Sequence, residues 1–343
     1  FDALIATGEQ VSAALLSMCL IGLSCPARSY TASQIQIRTD SQHRKATIMD
    51  VNTNLLKAEL DAGRVPVITG FQGVDSEGHI TTIGRGGSDI TAVALAAQLK
   101  ADECQIYTDV GGVYTTDPHV VHDARRLNEI TFEEMMEFSN LGAKVLQIRA
   151  VEFAHKCQVP LRVLSSLEEG PGTLISPGRK ATDAPIVSGI AFDRNQGKLT
   201  VMGIPKASDF TGNLLASLSD ASIEIDMIIQ NVASSDDRVD VSFTVPLDDY
   251  RQALQITQDA AKPHSELIVM GDERIAKLSV VGIGMKTHAS VAAKMMQALA
   301  EEGIEIHLIT SSEIKISTVI DEKYMELGAR TLHSVFALGK AGG

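Results

Sequence analysis

Apolar positions in the first 175 residues alternate between a helical and an extended period. Val11–Leu23 is an almost continuous apolar stretch that fits a helix. Asn52–Ala62 repeats its apolar positions at helical spacing and stops at Gly63, a residue suited to closing a helix. Ile90–Leu99, Phe132–Phe138 and Lys144–Cys157 read as further helices, and Val65–Thr69, Gln105–Val110 and Leu161–Leu164 as short buried strands. Strands that alternate with helices predict an α/β sheet covered on both faces, with ligands gathered beyond the carboxyl ends of its strands. Residues 165–185 carry Gly170-Pro171-Gly172, Pro177-Gly178 and Pro185, and read as a linker or loop-rich boundary.

Beyond that boundary the pattern repeats itself. Lys198-Leu199-Thr200-Val201-Met202-Gly203-Ile204 matches Lys277-Leu278-Ser279-Val280-Val281-Gly282-Ile283, an offset of 79. Ile223–Ile228 matches Ile304–Ile309 at an offset of 81, so the copies differ by a two-residue indel. Each copy runs strand, loop, helix (Leu214–Ser219; Val291–Ala300), strand, strand, helix (Tyr250–Ala260; Glu322–Phe336). That is the β-α-β-β-α-β order of a ferredoxin-like module. A pair of such modules can serve dimerisation alone or bind a small molecule at its interface.

Composition narrows the class. The 343 residues are 44% hydrophobic with a formal net charge of −13, which suits two or three globular domains and, with no basic patch, argues against a nucleic-acid partner. Cys19, Cys25, Cys104 and Cys157 form no C-x-x-C pair and read as buried free thiols in a reducing cytoplasm. The Ala13–Leu23 run, interrupted by Ser17 and Gly22, is too short to span a membrane, and no signal peptide is recognisable. The sequence opens inside a structured element without an initiator methionine and reads as N-terminally incomplete.

The chemistry concentrates in Gly84-Arg85-Gly86-Gly87-Ser88-Asp89, directly before the Ile90–Leu99 helix. Glycines let backbone N–H groups approach an anion, and a helix N-terminus adds partial positive charge. Arg85 can clamp a carboxylate or phosphate through two parallel hydrogen bonds. The bland alternative is a capped turn, with Ser88 or Asp89 as N-cap. From this segment alone the two readings stand level.

Other segments shift the balance. Together with Thr108-Asp109-Val110, Gly112-Val113-Tyr114-Thr115-Thr116-Asp117-Pro118 and Gly142-Ala143-Lys144-Val145-Leu146, the loop resembles the amino-acid kinase domain of aspartate kinases. Thr7-Gly8-Glu9, preceding a helix, resembles the approach to the aspartate pocket in that family, and the repeat resembles its paired ACT domains. The resemblance implies a three-layer αβα kinase domain over residues 1–175, lacking its front, and a linker with the first ACT-region strand over 176–197. Two ferredoxin-like ACT domains follow over 198–263 and 264–343. It implies phosphoryl transfer from ATP with Mg2+ to the β-carboxylate of L-aspartate. Arg85 and Asp89 would be catalytic, and Glu9, Arg85, Gly87, Ser88 and Asp89 would hold the substrate. Thr108, Asp109, Tyr114, His119 and Lys144 would hold the nucleotide, with no side chain assigned to a metal. Lysine, threonine or both would inhibit at an ACT–ACT interface, through Asp226, Met227, Gln230 and Asn231 with Ser311, Ser312 and Glu313. The expected assembly is a homodimer through the ACT domains or a heterotetramer with an ACT-only subunit.

Three departures from the family pattern stand out. The Lys-Phe/Tyr-Gly-Gly-Thr-Ser loop that supplies the family's catalytic lysine does not occur in the sequence. His119 stands where arginine is usual, which predicts weaker phosphate binding. Lys206–Gly212 replaces the family's turn near the effector pocket. A catalytically silent amino-acid sensor is the alternative these departures suggest.

Overall fold

The first helix is longer than the hydrophobic run predicts. A computed structural model, describing residues 1–140, 145–178, 187–232, 237–285 and 289–339, begins with α1 over Asp2–Gly22. Thr7-Gly8-Glu9 therefore lies inside a helix rather than before it. Gly8 meets no neighbour within 4 Å, so only backbone entropy opposes helix there. The buried Asp2 pins the front end: its carboxylate accepts hydrogen bonds from the Thr82 N–H (3.0 Å) and the Arg44 N–H (3.2 Å), and its Oδ2 lies 2.9 Å from Nδ1 of His43. Among the described residues α1 is the one helix long and apolar enough to cross a membrane, with a mean hydropathy of 1.6. The length limit read from Ala13–Leu23 thus does not hold for the folded helix, although Asp2 and the Gln72 side chain, which donates to Ala6 O (3.1 Å), tie it to neighbouring strands.

There follow β1 (Ala27–Tyr30), β2 (Ile37–Thr39), β3 (Ile48–Val51), α2 (Asn54–Asp61), β4 (Val65–Ile68), β5 (Gln72–Val74), β6 (Ile80–Thr82) and α3 (Gly87–Leu99). Next come β7 (Cys104–Thr108), β8 (Glu129–Thr131), α4 (Phe132–Asn140), α5 (Ile148–Cys157), β9 (Leu161–Ser165) and β10 (Thr173–Ser176). These strands form the ladders β1-β4, β3-β2-β5-β6 and β7-β9-β10-β8. Strands β7 and β9 are parallel with Thr108 opposite Ser165, so their carboxyl ends coincide. Strand β10 lies within the stretch expected to be a linker. The Gly172 turn at φ +64° sends the chain back along β9, where antiparallel pairing satisfies its backbone.

Contacts divide the chain into two units, Phe1–Val113 with Arg126–Asp183, and Tyr114–Arg125 with Ala184–Gly343. The second contains β11 (Gly189–Pro205), α6 (Phe210–Asp220), β12 (Ile228–Val232), β13 (Arg238–Pro246), α7 (Tyr250–Ala261) and β14 (Ile268–Val281). It continues with α8 (Ala289–Glu301), β15 (Leu308–Ser311), β16 (Lys315–Asp321), a 3₁₀ turn at Glu322–Tyr324 and α9 (Met325–Val335). One six-stranded sheet runs β12-β13-β11-β14-β16-β15.

The two long central strands explain how the repeat folds. Gly189–Asp193 of β11 pairs with Lys277–Val281 of β14, and Lys198–Met202 pairs with Ile268–Asp272. The front of β14 therefore closes the first repeat, and the front of β11 closes the second. Each repeat keeps its own apolar core, one around Leu199, Phe243 and Leu214 and the other around Leu278, Ile320 and Leu332. A small third cluster of Met227, Ile275, Leu308 and Val319 joins them.

The repeat also positions two cross-module lysines. Lys277, 3% exposed, pairs with Asp226 of the other repeat. Its equivalent, Lys198, reaches Nδ1 of His307 at 2.9 Å, and His307 is the counterpart of Asp226. An ammonium only donates, so Nδ1 accepts and Nε2 carries the proton, directed at Asp321 Oδ1 3.0 Å away.

Packing at the shared strands is tight enough to test. A Cβ at Gly271 would collide with the hydroxyl of the buried Tyr250. Gly271→Ala is expected to cost about 1–3 kcal/mol in urea unfolding. Tyr250→Phe in the same chain should recover part of that loss, because the colliding atom is then gone.

Candidate active site

The glycine loop forms because its backbone enters regions that only glycine adopts freely. Gly84 has φ +89° and Gly86 φ +70°. A Cβ on Gly84 would come within 2.6 Å of Arg44 O, and one on Gly86 would strike the Gln147 side chain. Gly87 is equally confined, against Phe71 (2.9 Å) and Ile83 (3.0 Å). The loop is thus packed on every side at its backbone.

Gly86, not Ser88 or Asp89, occupies the N-cap of α3, and no side chain caps the helix. The capped-turn alternative therefore does not hold. Gly87 N–H bonds Gly84 O (2.9 Å) and Ile90 N–H bonds Gly86 O (3.1 Å). Between them the N–H groups of Ser88 and Asp89 remain as the orphan donors of a helix start. Arg85 is exposed, and Asp89 is partly buried. Among the described residues neither side chain has a hydrogen-bond or ion-pair partner. Burial pushes the Asp89 carboxyl above its usual range. Its charge adds to burial in pushing the nearby Cys104 thiol up to about 11, so that thiol stays protonated. The expected burial of the thiols holds for Cys104 alone, since Cys19 is exposed and Cys25 and Cys157 are half-buried.

Residues 70–72 connect the loop to α1. A Cβ on Gly70 would sit 3.2 Å from Ser88 Cα, and Phe71 N–H bonds Thr91 Oγ1 (3.1 Å). Gln72 accepts a hydrogen bond from Gln10 (3.1 Å), the residue after Glu9. The fold thus brings α1 and the glycine loop to a common wall, with Glu9 partly buried on the helix. Arg149 of α5 also approaches the loop, donating to Ile83 O (3.0 Å). Sequence pattern offers no reason to select it, because its role depends on where α5 packs.

Thr108 and Asp109 end β7, and Thr108 Oγ1 donates to the Asp109 carboxylate (3.1 Å). Both the N–H and hydroxyl of Ser166 donate to Thr108 O (2.7 and 2.9 Å), which joins the β7 and β9 ends. Beside them Arg126 lies along Gly112, where a Cβ would be 2.9 Å from its Cδ. The buried Nε of Arg126 has no partner among the described residues. Sequence reasoning misses this cation: its context is an ordinary Arg-Arg pair, and only the fold sets it against the glycine. Lys144 and its Gly142-Ala143 neighbours lie outside the described residues.

Tyr114 and His119 belong to the second unit. His119 is held by its own turn: Asp117 Oδ1 accepts its backbone N–H and lies 2.9 Å from its ring Nδ1.

The effector candidates do not form one cluster. Asp226 is engaged with Lys277. Met227 is buried, its N–H bonded to Thr244 Oγ1 (3.2 Å). Gln230 and Asn231 are on β12, at one edge of the sheet. Ser311, Ser312 and Glu313 make the β15–β16 turn at the other edge, where Ser312 Oγ accepts from the N–H groups of Ile314 (3.4 Å) and Lys315 (3.2 Å).

Comparison with known proteins finds relatives along nearly the whole chain. The amino acid kinase family profile matches residues 1–165, and an ACT domain profile matches residues 278–336. An aspartokinase of Pseudomonas aeruginosa is 56% identical over 339 residues, spanning 98% of this chain and 82% of that protein. The crystal structure of E. coli aspartokinase III with aspartate and ADP superposes with a TM-score of 0.79 at 27% identity, covering 97% of this chain and 75% of that one. The same enzyme with lysine and aspartate gives a TM-score of 0.77 at 29% identity, over 97% of this chain and 74% of that one. With identity above half along nearly its whole length, the chain belongs to the aspartate kinase family.

Proposed function

We propose that the protein transfers the γ-phosphoryl group of ATP to the β-carboxylate of L-aspartate, under feedback control by lysine, threonine or both. One observation carries the reading. At the α3 N-terminus, two orphan N–H groups, Arg85 and a desolvated Asp89, none of them partnered among the described residues, share one rigid glycine loop. A silent sensor would have no use for that constellation. In the transfer, a carboxylate oxygen bonds to the γ-phosphorus while the bond to the β–γ bridging oxygen breaks, leaving ADP and 4-phospho-L-aspartate. The protein's task is positioning and charge neutralisation. Arg85 clamps a carboxylate of aspartate, Glu9 faces its ammonium, and the Gly87–Asp89 backbone donors steady the acceptor. Asp89, which has no cation partner among the described residues, holds a positively charged group at the reacting end.

Nucleotide fits the joined ends of β7 and β9. Thr108 and Asp109 offer hydrogen-bonding groups there, and Arg126 supplies a cation with a buried nitrogen left over. Lys144, Tyr114 and His119 complete the family's nucleotide set, and Mg2+ neutralises phosphate charge when the nucleotide binds.

The lysine complex of E. coli aspartokinase III supports lysine as an effector. Gln230 and Asn231 lie at the opposite sheet edge from Ser311–Glu313, so a pocket using both sets draws one from each of two chains. Edge strand β12 exposes Ile228 and Val232 and suits such pairing, in a homodimer or with an ACT-only subunit.

Trapping the acyl phosphate with hydroxylamine tests the reading. Hydroxamate should form only with both MgATP and L-aspartate and should fall on adding lysine and threonine. No product from folded protein would sink the claim that this chain alone is an active kinase. Arg85→Lys keeps the charge but not the bidentate fork, and should raise the KM for aspartate roughly tenfold or more. Asp89→Asn should abolish product yet raise Tm at pH 7. The sign follows from burial: the folded carboxyl's pKa lies above its unfolded value. Ionisation therefore costs stability as pH climbs through that range, and the cost is fully present at neutrality. An Asp89→Asn variant less stable than wild type at pH 7 would contradict this.

A further inference from the structure

The segment Tyr114–Arg125 departs from the kinase half of the sequence and joins the regulatory unit. Its anchors reach three regulatory elements. Ile190 N–H, on β11, bonds Thr115 O (2.7 Å). On α9, Arg330 donates to Val120 O (3.1 Å), and Thr115 Oγ1 lies 3.0 Å from Nε2 of His333. Arg125 donates to Leu338 O (2.8 Å), just past that helix. Val120 packs against the second-repeat core.

Only the Thr115–His333 contact joins two fully buried side chains, at 0% and 1% exposure. Its proton can be placed. Thr115 Oγ1 already accepts the Arg125 N–H (3.1 Å), so its hydroxyl proton is free to go to Nε2. His333 then carries its own proton on Nδ1, facing Asp123 Oδ1 at 3.5 Å. Burial lowers the pKa of the ring, outweighing Asp123, which raises it, and acting with Arg125, which also lowers it. The neutral form this arrangement needs is therefore the one present at neutral pH. Thr115 N–H also bonds Arg125 O (2.9 Å), so the threonine closes both ends of the segment.

We infer that His333 is a positioning residue for nucleotide binding, acting from the regulatory unit through Thr115 to fix the segment that carries Tyr114 and His119. The inference rests on the reading above that these two residues serve the nucleotide. It deepens that reading by giving the regulatory modules a direct grip on the nucleotide segment. His333 touches no substrate. Its effect is confined to how well the segment is held, and so falls on nucleotide affinity rather than on aspartate or the chemical step.

The test is a steady-state comparison of wild type with Thr115→Val, Thr115→Ser, His333→Leu and His333→Gln, varying MgATP and aspartate separately. Thr115→Val and His333→Leu should raise the KM for MgATP roughly three- to tenfold, as expected for a lost buried hydrogen bond. The kcat and the KM for aspartate should stay within about twofold. Thr115→Ser keeps the hydroxyl and His333→Gln keeps an acceptor near Nε2, so both should recover most of the loss. Should His333→Leu fail to fold, the Val and Ser pair at Thr115 decides alone. A wild-type KM for MgATP in folded Thr115→Val, equal losses for both substrates, or no rescue by serine would overturn the inference. An inactive wild type would instead overturn the reading that this chain alone is an active kinase, which separates the two failures.

Discussion

Pairing between β11 and β14 is the constraint on which the regulatory half depends. A backbone N–H left without a partner in a buried sheet costs free energy comparable to a lost hydrogen bond. Neither repeat meets that requirement alone, because the strand that closes each one lies at the front of the other's first strand. The same ladder sets Lys198 and Lys277 at equivalent heights, each extended towards the other repeat. Two descendants of one pattern have thereby acquired different partners, a carboxylate in one case and an imidazole backed by Asp321 in the other. A buried ion pair gains little net stability after desolvation but is costly to break. These contacts accordingly fix the relative setting of the repeats more than they add to stability.

In the kinase half the governing fact is steric. Gly84, Gly86 and Gly87 are hemmed in by Arg44 O, Gln147, Phe71 and Ile83, so the loop cannot widen to accept a side chain. Among the described residues this confinement holds unsatisfied donors and an unneutralised Asp89 together at the start of α3. Such a set is unfavourable while no ligand meets it.

Much of this was legible from residues. The two Lys-Leu-x-Val repeats announced the paired modules, because a duplication that keeps its order through a two-residue indel reports the repeated unit directly. Gly84–Asp89 pointed to an anion site only in company with the other family motifs, because a glycine turn before a helix serves capping equally well. The terms the sequence withheld are those set by distant partners. The exchange of strands at residues 189–193 and 268–272 depends on which strand lies alongside, not on the strand's own pattern. Strand β10 was hidden in a Gly-Pro-rich stretch because its pairing with β8 and β9 outweighs local turn propensity. Helix α1 extends forward to Asp2 because that carboxylate finds two N–H donors and the His43 ring at residues 43, 44 and 82. Arg126 and His333 carry no local signal at all, since each acquires its setting only when Gly112 or Thr115 arrives beside it.

The chain leaves the catalytic unit at Tyr114 and returns at Arg126, having spent twelve residues in the regulatory unit. The two halves are therefore not separable by a single cut in the gene. A recombination that grafted this catalytic portion onto a foreign regulatory portion at the 165–185 boundary would leave the loop behind in a strange host. Thr115 would then face whatever residue stood in place of His333, and Val120 a core it was not shaped for. Catalytic and regulatory sequences are bound to change in step at this loop, and lineage exchange of whole regulators is open only to partners that match it.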